Sequence, residues 1–280
     1  MTTAPRVSQT SQLRRAIEIT AAVAIWVAIG IAFHLSVNVY LLLGIPLTAA
    51  FQWGVRREPL RALWLRDAQP FRLDPAGWVI AGLLAAYPFY RLVVDVRTGP
   101  HPAKLGFYLS AVAGAFVAAY ALRNFRRATV RPFVMCLVIA GGIGIAIMVG
   151  GALAGGLAHR TLAQRLSIGL SSLLLYVPIS FVLEEVSFRG AFDSRLHHPG
   201  EPRGLATALF VSALWGLWHI PVGLGQLPLP LLIVQLLVVH CAVGVPFSIF
   251  WRRSGNLFVP GATHALIDAV RNALLVIPWQ

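Results

Sequence analysis

The stretch that decides the fold is Leu183-Glu-Glu-Val-Ser-Phe-Arg-Gly190, which ends one of the most apolar segments of the chain. Charged side chains in such a segment are costly unless they are paired, hydrated or used in function. On a helix, Glu185 and Arg189 share a face, whereas Glu184 points about 140° away from Arg189. We therefore expect Arg189 to neutralise Glu185 and to leave Glu184 available for proton transfer. The alternative is that all three form one buried ion-pair cluster that only fixes helix packing.

Composition places the chain among integral membrane proteins. Of its 280 residues, 58% are hydrophobic and 12% are charged, and the mean hydropathy is +0.74. The net charge of +13 would suggest a nucleic-acid partner in a soluble domain. Here the basic residues lie between apolar segments, so we expect contacts with anionic membrane lipid and no nucleic acid. Cys136 and Cys241 both lie inside apolar segments, which does not indicate a disulfide framework.

Apolar stretches of about 20 residues predict an all-α, polytopic transmembrane bundle. The second stretch is short and contains Pro46, so a re-entrant hairpin there would reduce nine spans to eight. We expect residues 1–160 to form a scaffold of transmembrane helices and residues 161–280 to form a catalytic core. The predicted helices cover residues 16–34, 38–55, 76–95, 105–123, 132–157, 166–195, 203–221, 229–250 and 256–277.

The distribution of positive charge predicts the orientation. Seventeen basic residues lie in alternate connections between the predicted helices, and only four lie in the others. The positive-inside rule therefore predicts a cytoplasmic N-terminus. A single lysine and abundant alanine suggest a bacterial cytoplasmic membrane. The basic set comprises Arg6, Arg14, Arg15, Arg56, Arg57, Arg61, Arg66, Arg72, Arg123, Arg126, Arg127, Arg131, Arg189, Arg195, Arg203, Arg252 and Arg253.

Three further ionisable residues are predicted at the depth of Glu184. Glu184 lies about 15 residues before the turn near Pro199, and His219 about 15 residues after the same hairpin, so both are roughly 22 Å along their helices. His264 and Asp268 share one face of the last helix because they are four residues apart. A lone buried histidine is commonly an ordinary core residue, but four ionisable groups at one depth indicate a functional site.

His240 lies at a comparable depth in the eighth predicted helix. No motif surrounds it, and we interpret it as an ordinary hydrogen-bonded core histidine.

Three motifs in order resemble the CPBP (Abi) family of intramembrane endopeptidases, which includes the CAAX prenyl proteases. They are Glu184-Glu185-x-x-x-Arg189, Trp215-x-x-x-His219 and Pro260-x-x-x-His264-x-x-x-Asp268. The resemblance covers residues 165–280. Two positions depart from the family pattern: Trp215 stands where phenylalanine is usual, and Asp268 stands where asparagine is more common.

The resemblance implies a role for each matching residue. Glu184 and His219 would activate a water molecule for attack on a peptide bond, while His264 and Asp268 would orient the water or stabilise the oxyanion. Glu185 and Arg189 would shape the site. We expect the cavity to open toward the end of the bundle that carries the basic connections.

The substrate implied is a peptide or the tail of a membrane protein. Zinc stays open as a cofactor, because His219 and His264 with Asp268 or Glu184 would make a set of two histidines and one carboxylate. Two other functions stay open as well. One is a proton-coupled transporter that uses the buried Glu, His and Asp residues, and the other is a non-catalytic immunity or scaffold protein.

Overall fold

The computed structural model describes residues 9–66, 70–197 and 204–275, and in these ranges the protein is a bundle of helices. Short single turns occur at Leu60–Leu63 and Ile220–Gly223. The helices are α1 (Gln9–Ala32), α2 (Val37–Arg56), α3 (Pro75–Thr98), α4 (Pro102–Arg123), α5 (Arg127–Gly155), α6 (Leu162–Ile179), α7 (Val186–Asp193, continued by Ser194–Leu196), α8 (Leu205–Trp218), α9 (Leu229–Ser254) and α10 (Phe258–Leu274).

The prediction of a polytopic all-α membrane protein is confirmed. Seven helices in the described ranges, α1 to α6 and α9, are long and apolar enough to cross a membrane. The helices α8 and α10 have 14 and 17 residues and occupy the places of the seventh and ninth predicted spans. This count is roughly consistent with eight or nine spans. Helix α2 continues through Pro46, which replaces the suggested hairpin by one helix.

The single helix predicted over residues 166–195 is interrupted. Helix α6 ends at Ile179, residues 180–183 form a turn, and helical geometry resumes at Glu184. The indole of Trp64 donates a hydrogen bond to the carbonyl of Phe181 at 2.7 Å and so satisfies a backbone group that the break releases. A Cβ on Gly114 would lie 2.1 Å from the carbonyl oxygen of Pro178, so helix α4 packs directly against this break.

The resumed helix has wide π-type turns over Val186–Asp193, and every residue of this segment is buried. Such turns are rare and frequently occur at functional sites. The helical segment that begins at Glu184 and continues as α7 therefore carries the charged motif through the packed interior.

Ion pairs tie several basic connections together at one end of the bundle. Arg252 donates to both carboxylate oxygens of Asp193, at 2.8 and 2.7 Å, and to the carbonyl of Gly204 at 2.6 Å. Arg195 donates to Glu18 at 2.9 Å, which joins α7 to the start of α1. Arg6, Pro199, Arg203 and residues 276–277 of the last predicted helix lie outside the described residues.

Aromatic side chains fix the end of α8 against the first two helices. The hydroxyl of Tyr40 donates to the carbonyl of Trp218 at 2.7 Å, and the indole of Trp26 donates to the carbonyl of Tyr40 at 3.0 Å. The rings of Trp26 and Trp218 meet edge to face at 4.9 Å. Helices α1 and α2 thus hold the backbone immediately before His219.

Candidate active site

Glu184 lies between an indole and an imidazole. Its Oε2 accepts a hydrogen bond from Nε1 of Trp215 at 2.9 Å and lies 3.6 Å from Nε2 of His219. The side chain of Glu184 is 18% exposed, so this carboxylate is accessible although it is held in place.

His219 follows the last residue of α8 and caps that helix, whereas the sequence predicted it inside a helix over residues 203–221. Its Nδ1 lies 2.9 Å from the carbonyl oxygen of Trp215. A carbonyl can only accept, so Nδ1 carries the proton and donates. Nε2 of the neutral ring is therefore the basic nitrogen, and it faces Glu184.

Glu185 is fully buried beside a cation and a histidine. Its Oε2 lies 3.5 Å from Nε of Arg189, which is also fully buried, and its Oε1 accepts from Nδ1 of His264 at 3.0 Å. The guanidinium of Arg189 lies 4.9 Å from the ring centre of Trp215, within cation–π distance. The structure thus brings Glu185 and Arg189 together, as their spacing predicted, and adds His264.

Helix packing around this pair leaves little room. A Cβ on Gly244 would lie 2.9 Å from Nη2 of Arg189 and 2.7 Å from Oγ of Ser212. Glycine at this position lets α9 approach α8 closely enough to enclose the guanidinium.

Asp268 joins the site through His264 and through a residue that the sequence interpretation did not name. Its Oδ2 lies 3.7 Å from Nε2 of His264, and its Oδ1 accepts from Nη1 of Arg271 at 2.8 Å. Arg271 is one helical turn beyond Asp268, so the i, i+3 spacing was the signal that could have revealed it. Arg271 supplies the positive charge that balances aspartate at the position where asparagine is more common.

His240 also belongs to the site, although the sequence suggested an ordinary core residue. Its ring centre lies 4.2 Å from that of His219 and 4.7 Å from that of Trp215. Its Nδ1 lies 2.7 Å from the carbonyl oxygen of Leu236 and therefore donates, which leaves Nε2 free to accept. Depth along the helix was the only sequence signal for this residue.

A cavity of about 270 Å³ connects these groups to the surface. Its walls include Gln226 and Gln235, which are exposed and lie near the start of α9. Toward the opposite end, Phe188 and Phe247 are fully buried and close the site. The expectation that the cavity opens toward the basic connections is therefore wrong, because packed aromatic rings fill that end. The polar walls comprise Glu184, Trp215, His219, His240, His264, Asp268 and Arg271.

The candidate zinc ligands do not form one group. Across residues 9–66, 70–197 and 204–275, no three His, Cys, Asp or Glu side chains are arranged to hold a metal ion. His219 faces Glu184, whereas His264 is engaged by Glu185 and Asp268. The four side chains considered as zinc ligands therefore act as two separate pairs.

The fold and the site define an integral membrane protein with acid and imidazole groups gathered in one cavity of the helix bundle. A family model described as "Type II CAAX prenyl endopeptidase Rce1-like" matches residues 165–270, so the chain carries an Rce1-like domain of the CPBP family there. The matched region contains all six site residues named from the sequence. At the level of the family, the match supports a CAAX-protease-like intramembrane endopeptidase that acts on a peptide or protein substrate.

Comparisons with curated proteins and with solved structures gave no match.

Proposed function

We propose that this protein hydrolyses a peptide bond of a membrane-associated peptide or protein, with a water molecule activated by Glu184 and His219. The observation that carries this proposal is the position of Glu184, whose Oε2 is held by Trp215, lies 3.6 Å from His219 and borders an open cavity. A carboxylate and a neutral imidazole in such contact can share one proton during hydrolysis.

In the first step, the Glu184 carboxylate takes a proton from the water as its oxygen attacks the carbonyl carbon of the substrate. His219 accepts a second hydrogen bond from this water through Nε2, because its Nδ1 proton is committed to the carbonyl of Trp215. The two groups together fix the direction of attack, which lowers the entropic cost of the step.

His264 stabilises the negative oxygen that develops on the carbonyl. Its Nδ1 lies against Glu185 and its Nε2 lies 3.7 Å from Asp268, so the two carboxylates favour a doubly protonated ring, whose Nε2 proton can point toward the reacting group. Preorganised donors of this kind act strongly in a site with little water. The ion pair between Arg271 and Asp268 fixes the Asp268 carboxylate beside His264.

Collapse of the tetrahedral intermediate breaks the carbon–nitrogen bond, and the proton held by Glu184 passes to the departing amine. The products are a carboxylic acid and an amine, and the site returns to its starting protonation state. This route uses only side chains of the chain itself.

The test compares purified wild-type protein in proteoliposomes with Glu184→Ala and His219→Ala, using a library of fluorescence-quenched, membrane-anchored peptides. We expect each variant to lose about 10²- to 10⁴-fold in cleavage rate, the range of general acid–base catalysis. Asp74→Asn, which changes a carboxylate far from the cavity, is the matched control. Equal cleavage by all four proteins contradicts the peptidase, and proton-coupled solute flux that both alanine variants lose identifies a transporter instead.

For the membrane arrangement, we propose a bacterial cytoplasmic membrane with the N-terminus in the cytoplasm, supported by the unequal distribution of basic residues between alternate connections. Single-cysteine labelling with an impermeant reagent tests this. A cysteine at Arg57 should react only in inverted vesicles, and one at His101 only in intact cells. The opposite pattern contradicts the proposed orientation.

A further inference from the structure

A second cavity, of about 530 Å³, lies where α1, α2 and α7 meet at the basic end of the bundle. Five guanidinium groups line it, and Glu18 is the one carboxylate of the described residues that does so. Such a concentration of positive charge is suited to an anion that presents several oxygen atoms. The arginines are Arg14, Arg15, Arg56, Arg57 and Arg195.

Acidic partners balance only part of this positive charge. Glu18 accepts a hydrogen bond from Nε of Arg14 at 3.0 Å and another from Nη2 of Arg195 at 2.9 Å, so one carboxylate serves two guanidiniums. Arg56 pairs with Glu58 at 2.7 Å. Five arginines against these two carboxylates leave a surplus of three positive charges.

Arg15 and Arg57 contribute two of the surplus charges. Among residues 9–66, 70–197 and 204–275, neither guanidinium has an ion-pair or hydrogen-bond partner. Arg57 also ends α2 in the left-handed backbone conformation, at φ 57°, which glycine adopts with less strain than arginine. Both side chains therefore keep all their donors for a ligand.

The surroundings of the cavity favour a lipid over a soluble anion. The cavity lies at the ends of two helices that are long and apolar enough to cross a membrane, which is the level of the lipid headgroups. Leu13 and Ile17 form an exposed apolar stripe on α1, and Ile17 neighbours Arg14 on the helix surface because it is three residues away. Trp53 on α2 is exposed as well, and tryptophan is enriched at the headgroup level.

We propose that this cavity binds the phosphate of an anionic phospholipid, whose acyl chains lie along the exposed apolar side chains of α1 and α2. The phosphate oxygens accept hydrogen bonds from Arg15 and Arg57, because the planar guanidinium matches phosphate in bidentate geometry. Basic pockets between transmembrane helices are suited to such headgroups. The inference does not depend on the proposed peptidase function.

A lipid bound here links three helices of the bundle. Arg15 lies on α1, Arg57 ends α2 and Arg195 lies on the continuation of α7. Arg56 also donates to the carbonyl of Gly190 at 2.7 Å, so the cavity adjoins the buried segment of the charged motif. A ligand that binds only the folded protein raises its Tm, so the lipid should stabilise this packing.

The experiment measures binding of a fluorescent phosphatidylglycerol to delipidated protein in detergent, with the matching phosphatidylcholine as the comparison without net charge. The wild type should bind phosphatidylglycerol at least about tenfold more tightly. Arg15→Gln/Arg57→Gly should lose about 30-fold in affinity for phosphatidylglycerol and keep its affinity for phosphatidylcholine. Glutamine preserves the helix and glycine suits the left-handed backbone, so the fold of this variant is retained.

The matched control is Arg126→Gln/Arg127→Gln. These two exposed arginines lie between α4 and α5, belong to the same set of basic connections and do not line the cavity. The control should bind both lipids as the wild type does. An equal loss in the two double variants shows only a general effect of charge on this membrane face and overturns the inference.

Thermal unfolding gives a second readout that does not use the fluorescent group. Phosphatidylglycerol should raise the Tm of the wild type and of the control, but not that of Arg15→Gln/Arg57→Gly. An equal effect of phosphatidylglycerol and phosphatidylcholine on the wild type overturns the inference. Displacement of the fluorescent lipid by inorganic phosphate assigns the cavity to a soluble anion and also overturns it.

Discussion

Glu184 and Glu185 are adjacent in the chain but lie in opposite surroundings. Glu185 is fully buried between Arg189 and His264, whereas Glu184 is partly exposed and faces His219 across an open cavity. Consecutive residues on a helix point about 100° apart, so one step along the chain moves a carboxylate from the packed interior to the cavity wall. Two like charges can therefore occupy one short segment because each has its own partners.

The largest expected effect is a loss of activity when Glu184, the partly exposed carboxylate of the two, is substituted. Glu184→Gln keeps the shape of the side chain and its contact with Trp215 but removes the base, so we expect cleavage to fall by about 10²- to 10⁴-fold. The Tm in detergent should change little, because no buried ion pair is broken. A large fall in Tm together with the loss of activity would assign Glu184 to the structural cluster instead.

The second expected effect is a loss of stability when Glu185, the buried carboxylate of the two, is substituted. Glu185→Gln leaves Arg189 buried without its counter-charge, which should destabilise the protein by about 3–5 kcal/mol. The double variant Glu185→Gln/Arg189→Met removes both charges and should recover part of this loss, as measured by thermal unfolding in detergent. No recovery in the double variant would show that the two residues do not stabilise the fold as a pair.

A smaller effect, on stability and activity together, is expected for the ion pair between Asp268 and Arg271 beside His264. Arg271→Gln leaves the Asp268 carboxylate without its salt bridge, and adding Asp268→Asn should restore much of the lost stability and activity. We expect an interaction between the two changes of about 0.5–3 kcal/mol in a double-mutant cycle. Strictly additive effects would contradict the charge compensation between these residues.

The smallest effect is expected for a carboxylate outside the membrane-spanning helices. Hydrogen bonds from Arg123 hold the pKa of Asp74 below its usual value of 3.8, and the same carboxylate caps the start of α3. Asn caps helices as well as Asp does, so Asp74→Asn isolates the ion pair. Because a lowered pKa stabilises the fold above the usual value, the variant should have a slightly lower Tm at neutral pH. The difference should vanish as the pH falls through the lowered pKa of the folded state.

Much of the fold was predictable because the apolar segments and the alternating basic connections are properties of the sequence. The break at residues 180–183 was not, since it depends on the indole of Trp64 and on the close approach of Gly114 from distant helices. The same holds for the end of α8 at His219, whose preceding carbonyl is bound by Tyr40.

The site was predictable only in part. The spacing of Glu185 and Arg189 on one helix was enough to predict their contact, since it depends on local geometry. The placement of His240 against His219 depends on how α9 packs against α8, and no motif encodes that packing. The side on which the cavity opens depends on which aromatic rings fill the core, so depth counted along helices could not reveal it.

The position of the cavity mouth near Gln226 and Gln235 has a topological consequence. With the N-terminus in the cytoplasm, as proposed, this mouth faces the outer half of the bilayer. A soluble fragment cut from a membrane protein would then be released directly to the exterior, without a separate export step.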